Sequence, residues 1–172
     1  MLEKNSHSNN NVLSIFENSK FNIWKGTDGG GLNLFDPESG HFTYFKHDRN
    51  NSQSICGDYI ISVTEDSKQN IWVGCWASGV TVYNPAKKTY RHFIHNPGDS
   101  TSLSSSNVWK IFEDKDKNIW VGTYGGGLDL LNPDGKTFTH FPYNPNDPNG
   151  ISNENIQNIF QDRDGNIWIS TD

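Results

Sequence analysis

Short runs of β-branched and aromatic residues alternate with clusters of Gly, Asn, Asp and Pro along nearly the whole chain. Within residues 107–142 four runs stand out: "VWKIFED", "NIWVGT", "GLDLLN" and "TFTHF". Each has the length and residue types of a β-strand. Turn-forming stretches separate them at 114–118, 124–127 and 132–135. No apolar period of 3.6 residues persists for ten residues, so almost no helix is expected.

The same pattern recurs at a fixed period, which decides the architecture. Ile-Trp occurs at Ile23-Trp24, Ile71-Trp72, Ile119-Trp120 and Ile167-Trp168, 48 residues apart each time. Ile15, Val63, Ile111 and Ile159 keep that register, as do Gly26, Gly74 and Gly122. Pro37, Pro85 and Pro133 follow it, then Phe45, Phe93 and Phe141. Four short strands in a unit of this length make a β-propeller blade. The fold expected is therefore all-β, a β-propeller fragment of three four-stranded blades and half of a fourth. Strand A is expected near 12–17, 59–65, 107–113 and 155–161, and strand B at 23–27, 71–75, 119–123 and 167–171. Strand C is expected at 31–36, 79–84 and 127–132, and strand D at 42–46, 90–94 and 138–142. The blades run 12–58, 59–106, 107–154 and, with strands A and B alone, 155–172. Residues 1–11 read as a polar tail. A ring closes with roughly 4 to 8 blades, so the chain is expected to be part of a longer protein.

Composition adds limits. Hydrophobic residues are only 33% of the chain, but 13% aromatic residues supply large buried areas and argue against disorder. The net charge of −6 gives no basic footprint for nucleic acid and no polybasic membrane anchor. No apolar run approaches the ~20 residues of a membrane span, and residues 1–7 lack the apolar core of a signal peptide. Cys56 stands where other units have Ser104 and Ser152, and Cys75 where they have Thr27, Thr123 and Thr171. That reads as exchange of small residues, with neither a disulfide nor a metal pair expected.

Alternating strand directions put the B–C turns and the long D–A crossovers on one face of the propeller. Three glycines, Gly125–Gly127, sit in one such turn. They lack the Lys and Ser/Thr of a phosphate loop and a helix to follow, so a turn with positive φ is expected. The A–B turns at 114–118 and 162–166 are acidic, and the second resembles the start of a calcium loop; counted from Asp114, however, the twelfth position is Gly125, where a Glu is required. They read as hairpin turns whose Asp and Asn side chains bond backbone amides. His47 and His95 are equivalent, as are His92 and His140, and these read as surface residues with no shared metal. No catalytic Ser–His–Asp, Cys–His or paired-carboxylate arrangement is visible, and no cofactor is implied.

A ligand site belongs where the repeat departs from its own rule. The position that opens the B–C turn holds Asp28, Trp76 and Tyr124. An acid and two aromatics near one rim suit a sugar or another flat polar ligand. Tyr59, where other units have Asn, and Arg49 in the first crossover join these candidates.

The unit "V-x-x-I-F-E-D-x-x-x-N-I-W-V-G-T-x-G-G-G-L-x-x-L-N-P", followed by "N-P-N-D-P-N-G-I-S", resembles the two-component regulator propeller repeats of hybrid sensor histidine kinases of Bacteroidetes-type bacteria. The resemblance covers residues 12–172. It implies an extracytoplasmic, periplasmic sensor region that recognises oligosaccharides, often as a homodimer, and signals to a kinase outside this chain. The other partners implied are the remaining blades of the parent protein. Two alternatives stay open at this point: a propeller enzyme, lyase or glycosidase, whose other blades lie elsewhere, and a protein-interaction platform.

Overall fold

The structure, a computed structural model, describes residues 6–172. Among them lie fourteen strands and no helix. Blade 1 is β1 (Val12–Glu17), β2 (Ile23–Thr27), β3 (Gly31–Asp36) and β4 (His41–Phe45). Blade 2 is β5 (Ile60–Glu65), β6 (Ile71–Cys75), β7 (Gly79–Asn84) and β8 (Thr89–Phe93). Blade 3 is β9 (Val108–Glu113), β10 (Ile119–Thr123), β11 (Leu128–Leu131) and β12 (Phe138–Phe141). β13 (Ile156–Gln161) and β14 (Ile167–Thr171) form the last, two-stranded sheet. Strands pair antiparallel in sequence order within each sheet. Strands A of successive blades, β1, β5, β9 and β13, pack against one another and form the inner wall.

Tyr59, Asn107 and Asn155 fall just outside the strands expected to contain them. Their carbonyls accept from Trp76, Tyr124 and Asp172, each just past the end of strand B, rather than from a ladder partner. The inner strands also carry a feature that periodicity does not reveal. Each pairs with strand B through a bulge that skips Leu13, Ile61, Trp109 or Gln157.

The core lies between blades. Trp24, Leu32 and Phe45 of blade 1 pack on Ile60, Ile71, Val73 and Tyr83 of blade 2. Trp72, Val80 and Phe93 pack in the same way on Val108, Ile111 and Val121 of blade 3. The recurring strand-B glycine follows from this contact. A β-carbon on Gly74 would lie 2.8 Å from Val108 Cγ1, and one on Gly122 would lie 2.6 Å from Ile156 Cγ2. Glycine lets the next blade approach the backbone itself.

A second recurring device is a clasp at the A–B turn. Asp66 Oδ1 accepts from the amides of Lys68 and Asn70, and its Oδ2 accepts from Trp72 Nε1 at 2.8 Å. Asp114 with Trp120 and Asp162 with Trp168 repeat the arrangement at 2.9 and 2.8 Å. These acidic turns are thus hairpin scaffolding, as their residues suggested. Asn18 takes the place of the aspartate in blade 1. Its Oδ1 accepts from Lys20 and Asn22, which leaves the amide nitrogen where the other blades have an acceptor. Trp24 is 2% exposed, and its Nε1 has no partner.

The segment expected to be a polar tail includes residues 1–5, which lie outside the described residues. From Ser6 onward the chain docks on blade 1. The Ser8 amide donates to Asn33 Oδ1 at 2.7 Å, and Ser8 Oγ to the Gly30 carbonyl at 2.6 Å. Ser8-x-x-Asn11 stands 48 residues before Cys56 and 96 before Ser104, so it is the end of a crossover like the others.

Candidate functional site

The B–C turns are built by backbone chemistry that every blade repeats. Gly125 and Gly127 both have φ of 81°, a conformation that glycine adopts without strain. A β-carbon on Gly127 would lie 2.6 Å from the Phe141 carbonyl oxygen. The triplet is therefore a turn. The amides of Gly31, Gly79 and Gly127 donate to Asp58, Ser106 and Glu154 at the ends of the crossovers, which places turns and crossovers on one face. Asn107 and Asn155 cap the turn of the preceding blade, accepting from Ala77 and Gly125 at 3.0 and 2.9 Å.

On this scaffold stand three aromatic rings. Trp76 opens the turn of blade 2 and Tyr124 that of blade 3, with ring centroids 5.6 Å apart. Between them stands Trp109, the residue skipped by the bulge in β9. It lies 5.8 Å from Tyr124 in a stacked arrangement (28°) and 5.8 Å from Trp76 edge-on (80°). A bulge re-aims one side chain of a strand, and here it turns Trp109 toward the rim. Trp76 and Tyr124 remain 36% and 41% exposed. Sequence reasoning singled out these two but not Trp109, which it counted among apolar strand residues.

The other candidates are placed differently. The Asp28 carboxylate accepts from Asn11 Nδ2 at 2.8 Å, an internal tie of blade 1. Tyr59 is 53% exposed, and its ring lies against Gly29, beside Asp28. Its carbonyl accepts from the Trp76 amide at 2.9 Å, so it links the Asp28 turn to the Trp76 turn along one rim. Lys46 Nζ donates to the Gly29 carbonyl on the same rim. Arg49 is exposed in the first crossover, and the described contacts do not bring it to the aromatic rings.

Beneath the rim, each blade carries a polar node. In blade 3, Asp129 is fully buried and accepts from the amide and Oγ of Ser104 at 2.9 Å each, and its Oδ1 lies 2.6 Å from His140 Nδ1. Burial pushes the Asp129 carboxyl up, partly offset by the bonds to His140 and Ser104. Ser, His and Asp meet here, but Ser104 faces the carboxylate and His140 Nε2 faces the Ser100 carbonyl. The hydroxyl has no base to activate it, unlike a nucleophilic triad. His92 takes the same place in blade 2, between Thr81 and the Ser52 carbonyl. His92 and His140 are therefore half-buried staples between strand D and the crossover, not the free surface residues their polar context suggested. His47 and His95 hold the crossovers too, with Nδ1 2.7 Å from the carbonyls of Ile55 and Leu103.

The node in blade 2 contains both cysteines. Cys56 Sγ lies 3.2 Å from Cys75 Sγ, and both are free thiols. Contact with the Cys75 thiol and the neighbouring His92 pushes the Cys56 thiol well below its ordinary value, while contact with Cys56 and burial push Cys75 up.

An inner wall of four-stranded antiparallel blades with bulged first strands and paired loop faces defines a β-propeller segment. The chain carries two-component regulator propeller repeats: the model of that family matches residues 54–77, 102–125 and 150–172. Among solved structures, the chain is similar to the extracellular domain of BT3049 from B. thetaiotaomicron, assigned as a hybrid two-component system. Identity is 30% and the TM-score 0.82, over 95% of this chain and 22% of that one. It is also similar to the extracellular domain of BT4673 from the same organism, likewise assigned, at 25% identity and a TM-score of 0.76, over 95% and 20% of the two chains. PorZ, a surface component of the type-IX secretion system of Porphyromonas gingivalis, shares the fold at 17% identity and a TM-score of 0.53, over 93% and 31%. The chain thus spans about a fifth of the length of the first two structures. No curated protein matches it significantly. Among the described residues, no helix is long and apolar enough to cross a membrane.

Proposed function

We propose that this chain is the ligand-sensing segment of a periplasmic propeller in a hybrid two-component sensor, and that it recognises an oligosaccharide on the face bearing the B–C turns. The observation that carries this reading is the aromatic group formed by exposed Trp76 and Tyr124 with half-buried Trp109. Its three rings come from two blades and stand within 5.6 to 5.8 Å of one another. Rings with an apolar face and a polar edge suit the alternating C–H and hydroxyl surface of a sugar. The likeness to extracellular domains assigned as two-component systems supports a sensory role. The output, a kinase, belongs to the parent protein. Its remaining blades would cover the open flanks, where Ile15 is 68%, Phe160 59% and Trp168 62% exposed.

Calorimetric titration with a panel of neutral oligosaccharides tests the proposal. Heat of binding that weakens at least tenfold in Trp76→Ala and in Tyr124→Ala is expected. No heat with any glycan would remove the oligosaccharide, and unchanged affinity in both variants would remove the rings.

A further inference from the structure

We propose that Cys56 and Cys75 are a redox-active dithiol that closes to a disulfide within blade 2, taking a disulfide-bearing molecule as oxidant. The repeat supplies the argument. The end of the crossover and the last residue of strand B touch in other blades through hydroxyls. Ser104 Oγ lies 3.3 Å from Thr123 Oγ1, and Ser152 Oγ lies 2.8 Å from Thr171 Oγ1. In blade 2 the same contact is made by two sulfurs at 3.2 Å. Both members of one contact are thiols, although they stand 19 residues apart and on different elements. Replacement of one small polar residue would leave a thiol against a hydroxyl; here the pair is complete.

The surroundings divide the roles. Cys56 is half-buried on a crossover, its amide tied to Thr81 Oγ1 at 2.8 Å. The Cys75 thiol and, to a smaller extent, His92 favour its thiolate. Cys75 is wholly buried, with its Sγ 3.8 Å from the Gly57 carbonyl. Cys56 is thus the attacking sulfur and Cys75 the resolving one. The Cys56 thiolate attacks one sulfur of the oxidant, and the departing thiolate takes up a proton. Cys75 then loses its proton and attacks Cys56 Sγ, expelling the second half of the oxidant as a thiol. Two protons and two electrons leave the pair, and the oxidant's disulfide is reduced to two thiols. Because Cys75 immediately precedes Trp76, closure fastens the crossover to the base of that turn.

The test equilibrates the full chain in buffers of oxidised and reduced glutathione, quenches with acid, alkylates, and determines the mass. Joint loss of both thiols is expected, with a monomer lighter by two hydrogen atoms and a peptide linking Cys56 to Cys75. Cys75→Thr should arrest the reaction as a glutathione adduct on Cys56. The double variant Cys56→Ser with Cys75→Thr restores the pair found in blades 3 and 4 and should fold and show no loss. Two thiols that persist in the folded chain under excess oxidised glutathione would overturn the proposal. So would oxidation that yields only adducts or linked dimers.

Discussion

The tryptophan clasp allows a blade-against-blade comparison within one molecule. Trp24 and Trp72 are each 2% exposed. The Trp72 indole donates to Asp66 at 2.8 Å, whereas Trp24 Nε1 has no acceptor because Asn18 stands in place of the aspartate. A buried donor left unpaired costs about 1–3 kcal/mol. Asn18→Asp turns the side-chain nitrogen into an acceptor without changing its size. We expect a gain of about 1–2 kcal/mol at pH 7, the lower part of that range because the new charge must be partly desolvated. In a chain of this size that raises the midpoint of thermal unfolding by about 2–8 °C. Asp66→Asn should lower the midpoint by a similar amount, since it creates at Trp72 the defect that Trp24 carries. The sign of the pH dependence follows from the existing clasps. At Asp114 desolvation works upward, but the bonds from Trp120 and Asn118 outweigh it and hold the carboxyl below its usual range. A carboxylate introduced at position 18 should likewise have a folded pKa below its unfolded value near ~3.9. Its contribution is full above the unfolded value and disappears as pH falls through the folded one. Circular-dichroism melts of both variants between neutral and acid pH measure this. An unchanged or lowered midpoint for Asn18→Asp at pH 7, with Asp66→Asn neutral, would refute the reasoning.

Two further predictions rest on the same repeat. Gly74→Ala would bring a β-carbon to 2.8 Å from Val108 and 3.2 Å from Ser62 Cβ, so urea unfolding should show a loss of about 1–3 kcal/mol from overpacking between blades. In the last blade, bonds from Trp168 and Asn166 hold the Asp162 carboxyl down at about 2. The Trp168 indole N–H resonance should therefore titrate with its midpoint near 2, and a midpoint near the ordinary Asp value of ~3.9 would contradict the clasp.

The strands were legible because each blade reads the same rule: Ile-Trp for the inner-to-outer packing, glycine for close approach, Pro and Asn for the turn. Ser8 and its neighbours escaped notice because His7 stands where the other crossovers carry Ile55, Leu103 and Ile151, and only the 48-residue offset relates Ser8 to Ser104. The cysteines escaped for a different reason. Each was compared with its counterparts one position at a time, yet the information lay in the pair, which the crossover and strand B bring together in space. Trp109 was hidden because a bulge breaks the alternation of faces without altering composition. His92 and His140 looked superficial because their partners, Thr81 and Asp129, lie on the neighbouring strand and the carbonyls they also reach lie in the crossover. Trp76 and Tyr124 were visible as departures from the repeat, because they occupy a turn position that varies while its scaffold stays fixed.

The most direct test of the oligosaccharide platform is to follow the indole N–H resonances of the chain's six tryptophans during titration with an oligosaccharide that gives heat of binding. Trp76 and Trp109 should shift, while Trp72 and Trp120, clasped to Asp66 and Asp114 on the opposite face, should stay in place. Shifts confined to Trp72 and Trp120, or binding that moves neither Trp76 nor Trp109, would contradict the account.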